Sequence, residues 1–315
     1  MTECGANISK VDPTVFYWFN NSLDGLLASH VDDFLWAWED RFKQVVIDKV
    51  RKALYIGHEE SQSFKYIGLH LESINGVIKL DQHNYAKTLL PIPITKERER
   101  QKDDPLSTEE LGQIMWIANQ TRPDILFDAC LLSAVFKKAK VSDLLDTNKV
   151  VCRIQSEKVT LTFQQLGHRN ALRLILYNNA SLGNLPDGGS QGGHIIFLAR
   201  ENGKAVPIAW QPKRIRRVVR SSLSAETLAM ADAIDNAIFL AALLTELLYG
   251  TLDPPLLPFV CITNNHSLFD NIYSTNLVHE KRLRIEIRGI KELIDNKQKF
   301  PLSSGIRPNC KWLTV

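Results

Sequence analysis

The order of strand-like and helix-like segments in the second half of the chain constrains its fold most strongly. Three β-prone runs, separated by turns rich in Gly, Pro, Asp and Asn, are followed by a long helical pattern, a fourth strand and a charged amphipathic helix. In chain order these segments cover 171–177, 192–199, 205–210, about 222–248, 259–263 and 279–296. Successive strands followed by a helix, a strand and a helix predict a mixed α/β sheet.

The first part of the chain predicts smaller strand units. Apolar runs at 15–19 and 26–38 flank a turn sequence containing Asn, Asp and Gly, and the apolar residues of 40–56 follow helical spacing. Residues 64–72 and 76–80 form the pattern of a further hairpin. We therefore expect two hairpins with an amphipathic helix between them.

Helices are predicted in the middle of the chain. A short helix is expected over 82–90, with the preceding aspartate as its N-cap, and the mixed charges of 97–104 are typical of a solvated linker. The motif Ser-Thr-Glu-Glu at 107–110 has the spacing of a capping box and predicts the start of a second helix. An Arg-Pro pair ends that helix, and a third is predicted over 124–138.

Composition excludes several classes of protein. The net charge of +3 is too small to indicate nucleic-acid binding from charge alone. The five cysteines show no CxxC spacing, which argues against a disulfide framework or a zinc site. No signal peptide is recognisable, and the most apolar stretch, 237–248, contains Glu246 and is too short to span a bilayer. We expect an intracellular protein, cytoplasmic or nuclear or both, with no membrane partner.

Two adjacent acids, Asp32 and Asp33, lie inside an otherwise apolar hairpin. A tight bend can direct both carboxylates into a cleft, where their oxygens suit Mg²⁺ and support two-metal phosphoryl transfer. The alternative is a polar turn with solvated acids, which a bare pair of aspartates would favour. The surrounding order of strand, acids, strand and amphipathic helix favours the metal-binding interpretation.

Several longer motifs carry a family resemblance. In the first half these are VDDF, FKYIGLHLE, KLDQHNYAKTLL and QIMWIANQTRPDILFD. In the second half they are YNNASLGNLPDGGSQGGHIIFL, VVRSSLSAETLAMADAIDNAIFL and KRLRIEIRGIKE. The chain resembles the Pol polyprotein of copia-type LTR retrotransposons over almost its whole length. The resemblance implies a partial reverse-transcriptase palm and thumb region at 1–96, a helical connection at 97–167, an RNase H-like domain at 168–300 and a C-terminal tail at 301–315.

The same resemblance assigns roles to individual residues. Asp32 and Asp33 correspond to the two metal-binding acids of the palm, and Glu226 corresponds to the helix acid of RNase H. Asn179 and Asn264 fall where the family has Asp, and Glu286 replaces the last Asp. The implied cofactor is Mg²⁺ or Mn²⁺, bound at Asp32, Asp33, Glu226 and Glu286, and the implied partner is an RNA–DNA hybrid or another nucleic acid. Because Asn lacks the charge that Mg²⁺ requires, we expect weak metal binding and an impaired RNase H centre.

The polymerase half is also incomplete by comparison with the family. Polymerases of this type need a further carboxylate on an upstream palm strand and a fingers region for the nucleotide. The acids that precede Asp32 are Glu3, Asp12 and Asp24, and none has a strand-to-helix context that suits this role. We therefore expect no DNA synthesis by this chain alone.

A basic segment precedes the helix that carries Glu226. It consists of Lys213, Arg214, Arg216, Arg217 and Arg220. One interpretation is a phosphate-contacting strip beside the cleft, and the other is a solvated loop and a charge-protected edge strand.

The hypotheses for the whole chain are a reverse transcriptase and RNase H fragment of impaired activity, a non-catalytic nucleic-acid-binding protein derived from a retrotransposon, and a degenerate reading frame.

Overall fold

The computed structural model describes residues 1–42, 46–54, 56–95, 108–136, 139–200, 203–253, 256–274, 280–295 and 302–304. Within these ranges the chain forms two four-stranded sheets, a group of helices and a five-stranded mixed sheet. This arrangement confirms the predicted α/β class with a mixed sheet in the second half. The predicted linker at 97–104 lies outside the described residues.

The first sheet contains the paired aspartates. Its strands are β1 (Asn7–Ile8), β2 (Val15–Phe19), β3 (Leu23–His30) and β4 (Asp33–Trp38), in that order and antiparallel. The single run predicted at 26–38 is therefore two strands joined by a tight turn, in which Val31 has a φ of 52°. Leu27 and Trp18 lie in the core beneath the sheet.

The helix predicted over 40–56 is divided in the described residues. Short helices α1 (Asp40–Phe42) and α2 (Asp48–Ala53) lie on either side of 43–45, which lie outside the described residues. Val50 of α2 packs into the core of the first sheet. The predicted apolar face is thus used for packing even though the helix is not described as continuous.

The second sheet joins distant parts of the sequence. It contains β5 (Ser63–Tyr66), β6 (Leu69–Ile74), β7 (Val77–Asp81) and β8 (Leu161–Phe163). The strand predicted at 64–72 is interrupted, because Ile67 and Gly68 have positive φ angles and form a turn. The helix predicted at 82–90 is the shorter α3 (His83–Ala86). Asp81 accepts a hydrogen bond from the His83 backbone N–H, as a capping residue does, although it is the last residue of β7.

The predicted helices of the middle segment are present. They are α4 (Thr108–Gln120) and α5 (Leu126–Val135), and a further helix, α6 (Val141–Ser156), follows. Helix α6 was not predicted, although its buried residues Leu144, Thr147, Val151 and Ile154 follow helical spacing. These helices share one hydrophobic core.

The third sheet is the five-stranded one. Its strands are β9 (Leu172–Ser181), β10 (Ser190–Arg200), β11 (Ala205–Ile215), β12 (Phe259–Thr263) and β13 (Leu302–Ser304). The spatial order is β11-β10-β9-β12-β13, with β12 parallel to β9. The helices that accompany it are α7 (Ser222–Tyr249), α8 (His266–Tyr273) and α9 (Lys281–Asp295). Leu174, Ile196, Met230 and Phe259 lie in the shared core.

Helix α7 packs very closely on the sheet. A Cβ atom added to Gly192 of β10 would lie 2.8 Å from the Ala229 Cβ, so this approach requires glycine. The helix is continuous, and it is longer than the apolar stretch that the sequence analysis judged too short for a membrane. By length and composition alone, α7 is long and apolar enough to cross a membrane. Its packing on the sheet gives a second explanation for this apolar character.

A buried carboxylate joins the first sheet to α7. Glu246, near the C-terminal end of α7, is 1% exposed. It accepts hydrogen bonds from the Ser9 hydroxyl at 2.5 Å, the Lys10 backbone N–H at 2.9 Å and the Tyr17 hydroxyl at 3.5 Å. Burial and the adjacent Glu246 carboxylate raise the pKa of Tyr17. The first sheet and the C-terminal part of α7 are therefore held together by charge-assisted hydrogen bonds.

Candidate functional site

The ends of two parallel strands define the candidate site. Strands β9 and β12 lie side by side, and their last paired residues are Tyr177 and Ile262. The residues that follow, including Asn178 on β9 and Asn264 after β12, lie at the same edge of the sheet. Side chains at the carboxyl ends of neighbouring parallel strands commonly form binding crevices.

Glu226 enters this edge from the first turns of α7. The helix is capped by Ser221, whose hydroxyl accepts a hydrogen bond from the Ser224 backbone N–H. Glu226 is 5% exposed, and its Oε2 accepts a hydrogen bond of 3.4 Å from the Asn178 side-chain amide. Burial raises the pKa of Glu226 from its ordinary 4.5 to about 7, and a hydrogen bond from the Ala180 backbone N–H opposes this rise.

The neighbour of Glu226 is Asn178 rather than the predicted Asn179. Residues alternate between the two faces of a strand, so Asn178 shares the α7 face with the buried Leu174 and Leu176. The Asn179 side chain instead accepts a hydrogen bond of 2.9 Å from the Ala180 backbone N–H. The alternating leucines of the strand, Leu172, Leu174 and Leu176, are the sequence signal that places Asn178 on the α7 face.

The other two predicted positions have different surroundings. Asn264 is exposed, and its neighbour Asn265 caps α8 through a hydrogen bond of 2.8 Å from the Leu268 backbone N–H. Glu286, on α9, pairs with Arg217 at 2.5 Å. Among the described residues, Glu226 therefore forms a hydrogen bond with Asn178, and no hydrogen bond joins Glu226 to Asn179, Asn264 or Glu286.

A histidine next to this pair was not predicted. His194 of β10 is the Cα partner of Asn178 and lies on the same buried face. Its Nε2 is 3.0 Å from the Asn236 side-chain amide nitrogen. Burial lowers the pKa of His194, so the neutral ring accepts this hydrogen bond. No motif in the sequence identifies His194, because its role depends on the register between strands.

The paired aspartates lie at the tip of the β3–β4 hairpin. Asp32 is in the turn and Asp33 begins β4, opposite His30, and both are exposed. The negative charge of Asp33 contributes to the raised pKa of Tyr66 on β5, after the larger effect of burial. The structure thus confirms the tight bend, and places one of its acids near the second sheet.

The basic segment is largely neutralised by acids from other elements. Three of its five cations form ion pairs: Lys213 with Asp232 at 2.8 Å, Arg214 with Asp187 at 2.5 Å and Arg217 with Glu286 at 2.5 Å. Within the described ranges, the remaining cations, Arg216 and Arg220, form no ion pair, and both are exposed. Because Lys213 and Arg214 are consecutive on β11, their side chains leave opposite faces of the sheet. The segment is therefore not one continuous strip.

The donor atoms at the sheet edge do not fit Mg²⁺. This ion prefers charged oxygen ligands in near-octahedral geometry. The edge offers one carboxylate, Glu226, which is partly protonated at neutral pH because its pKa is about 7. Asn178 adds a neutral amide, and its buried Oδ1 has no hydrogen-bond partner among the described residues. Across those residues, no three His, Cys, Asp or Glu side chains form a group that could hold a metal ion.

Comparison with known proteins gives two similar sequences, while no protein-family model matches. A transposon Ty5-1 protein of Saccharomyces cerevisiae is 25% identical over 243 residues, covering 69% of this chain and 76% of that protein. The retrovirus-related Pol polyprotein from transposon RE1 of Arabidopsis thaliana is 28% identical over 148 residues, covering 47% of this chain. The match spans 10% of the RE1 polyprotein.

Solved structures add information about the fold. A foamy viral protease-reverse transcriptase, solved in complex with an RNA/DNA hybrid, covers 92% of this chain with a TM-score of 0.52 and 14% identity. The chain spans 37% of that protein. The same protein in complex with dsDNA covers 89% of this chain with a TM-score of 0.52.

These similarities support the family resemblance on different grounds. The two sequence relatives are transposon proteins, and the structural neighbours have a reverse-transcriptase fold. They do not distinguish the copia type from other transposons, so that assignment stays a prediction from the motifs. The chain is related in sequence to transposon-encoded Pol proteins and has the fold of a retroviral reverse transcriptase over most of its described length.

Proposed function

We propose that this protein is a retrotransposon-derived nucleic-acid-binding protein whose RNase H-like centre does not cleave RNA by metal catalysis. The observation that carries the proposal is the state of Glu226. It is a single buried carboxylate with a pKa of about 7, in contact with an amide rather than with a second acid. Metal-dependent hydrolysis needs ions that lower the pKa of water and stabilise the phosphate. The residues at this edge do not supply the charge that holds such ions.

Binding of nucleic acid is supported by both the relatives and the charges. The structural neighbour is a protein solved in complex with an RNA/DNA hybrid and with dsDNA. In this chain the loop between β11 and α7 carries three exposed arginines, Arg216, Arg217 and Arg220. Arginine is well suited to phosphate because its guanidinium group can donate two parallel hydrogen bonds. We assign the binding surface to the unit at 168–300, the RNase H-like domain proposed from the motifs.

A second function follows from the extent of the structural similarity. A reverse-transcriptase fold covers 92% of this chain, and the hairpin keeps both Asp32 and Asp33 exposed at its tip. Within a longer polyprotein these acids would take part in DNA synthesis if another segment supplied the missing carboxylate. Primer extension by the chain alone would show that no further segment is needed, and would contradict our proposal for the isolated protein.

The binding proposal is tested by titrating a labelled RNA–DNA hybrid at increasing salt concentration. We expect the logarithm of affinity to fall linearly with the logarithm of salt concentration, because binding to phosphates releases counterions. Replacing Arg216 and Arg220 by Gln should reduce the slope by about 2, or about 1 per lost phosphate contact.

Lys149→Gln provides a matched control for this titration. Lys149 is an exposed cation on α6 that pairs with Asp146, away from the proposed surface. Its replacement removes one positive charge and should leave the slope within error. Absence of hybrid binding, or a slope that is equally sensitive to Lys149→Gln, would contradict the proposed surface.

A further inference from the structure

Glu286 has a different environment from the one expected of a metal ligand. It lies on α9 and pairs with Arg217, which belongs to the loop between β11 and α7. The Glu286 side chain is 25% exposed and that of Arg217 is 69% exposed. The carboxylate is therefore held in place by its helix, while the guanidinium lies mostly in solvent on a loop.

Exposed cations lie near both members of the pair along the sequence. Arg216 and Arg220 flank Arg217 in the loop, and Lys281 and Arg282 are exposed in the first turn of α9. Glu286 thus places a negative charge beside the exposed cations of the loop and of the first turn of α9. The pKa of Asp235 on α7 is raised mainly by burial and by Asp232, and the charge of Glu286 adds a smaller contribution.

We propose that Glu286 regulates nucleic-acid binding by competing with backbone phosphate for Arg217. This inference rests on the proposed function and deepens it, because it assigns a regulatory role to a residue that the family resemblance treats as a metal ligand. A carboxylate and a phosphate offer the same kind of bidentate oxygen acceptor to arginine. To bind a phosphate, Arg217 must first leave Glu286, and a phosphate close to Glu286 also experiences its repulsion.

The competition is weak enough for nucleic acid to overcome it. Exposed ion pairs contribute little to stability, since both partners are well hydrated and screened by salt. The free energy needed to break the pair therefore lowers the affinity of the wild type for nucleic acid without abolishing binding. We expect removal of the Glu286 charge to tighten binding by about two- to five-fold at moderate salt concentration.

Arg217 differs from the other paired cations of the basic segment. Lys213 and Arg214 lie on β11, where the strand fixes their backbone. Arg214 also binds the β9–β10 turn, since its hydrogen bond lowers the pKa of Asp187. Arg217 follows the end of the strand and is the most exposed of the three. It is therefore the paired arginine that can reorient toward a phosphate with the least change in the fold.

The experiment compares Glu286→Gln with Glu292→Gln in the full chain. Both residues lie on α9, both pair with an arginine, and both substitutions remove one negative charge. Glu292 lies nearer the C-terminal end of the same helix and pairs with Arg288, which precedes it by one turn. Affinity for an RNA–DNA hybrid is measured at about 0.1 M salt, where the interaction between charges more than about 10 Å apart is largely screened. Glu286→Gln is expected to bind about two- to five-fold tighter, and Glu292→Gln to change affinity by less than about 1.5-fold.

The contribution of Arg217 is isolated by a double-mutant cycle. In an Arg217→Gln background, the gain from Glu286→Gln should fall to less than about 1.5-fold, because the competition no longer exists. An equal gain in both backgrounds, or an equal gain from Glu292→Gln, would show a general charge effect and overturn the inference. Weaker binding by Glu286→Gln would also overturn it and would favour a metal-binding role. If the wild type and Glu286→Gln both fail to bind the hybrid, the proposed function is contradicted. If the wild type binds and Glu286→Gln binds no tighter, this inference alone is contradicted.

Discussion

Replacement of Glu226 by glutamine is expected to stabilise the folded protein by about 2–3 kcal/mol at about pH 8. The reason is the burial of this carboxylate, which raises its pKa from 4.5 to about 7. A raised pKa means that the folded state binds the proton more tightly than the unfolded state does. Stability from this group is therefore complete below pH 4.5 and is lost as pH rises through about 7. Glutamine stays neutral throughout, and its amide can donate to the buried Asn178 Oδ1, which has no hydrogen-bond partner among the described residues.

The measurement is urea unfolding of the wild type and Glu226→Gln across a pH series. The difference in free energy of unfolding should be small at about pH 4.5 and should grow to its full value above about pH 7. Glu292→Gln is the control, because this residue is 63% exposed and pairs with Arg288 on the surface of α9. A Glu226→Gln protein that is less stable than the wild type at high pH would contradict the account of a costly buried charge.

Replacement of Glu246 by alanine is expected to destabilise the protein by about 3–5 kcal/mol. The substitution removes the shared acceptor of the Ser9 hydroxyl, the Lys10 backbone N–H and the Tyr17 hydroxyl. These donors would stay at the contact between the first sheet and α7 without a partner. The cost of buried unpaired donors then adds to the loss of charge-assisted hydrogen bonds.

Chemical denaturation of Glu246→Ala and Glu292→Ala tests this prediction. Glu292 pairs with Arg288 on the helix surface, so its loss should cost about 0.5 kcal/mol or less. Glu246→Gln should have an intermediate effect, because an amide keeps one acceptor oxygen. If Glu246→Ala unfolds at the same denaturant concentration as the wild type, the buried carboxylate does not hold the first sheet to α7.

The hydrophobic pattern predicted four strands of the third sheet because they form clear apolar runs, whereas β13 lies in the segment predicted as a C-terminal tail at 301–315 and was not predicted. The run predicted at 259–263 coincides with β12, and the three earlier runs lie within β9, β10 and β11 apart from one terminal residue. The pattern failed where a tight turn interrupts an apolar run, as between β3 and β4. Such turns depend on single residues with positive φ, such as Val31, which the apolar pattern does not reveal.

The candidate site was less predictable than the fold. The resemblance assigned the helix acid to Glu226, which stays a prediction, and strand alternation was needed to recognise Asn178 as its neighbour. The ion pair between Arg217 and Glu286 joins residues 69 positions apart, and Ser9 is 237 positions from Glu246. Contacts of this kind are set by packing of whole elements, so local sequence contains no signal for them. Counting the cations of the basic segment therefore overestimated how many of them are free of ion pairs.

Cleavage of a labelled RNA–DNA hybrid in the presence of Mg²⁺ or Mn²⁺ tests the central claim most directly. The account holds that Glu226 is a lone, partly protonated carboxylate at a sheet edge that does not hold catalytic metal. It predicts that the wild-type chain binds the hybrid and leaves its RNA strand intact with either ion. Metal-dependent cleavage by the wild type that disappears in Glu226→Gln would contradict the account.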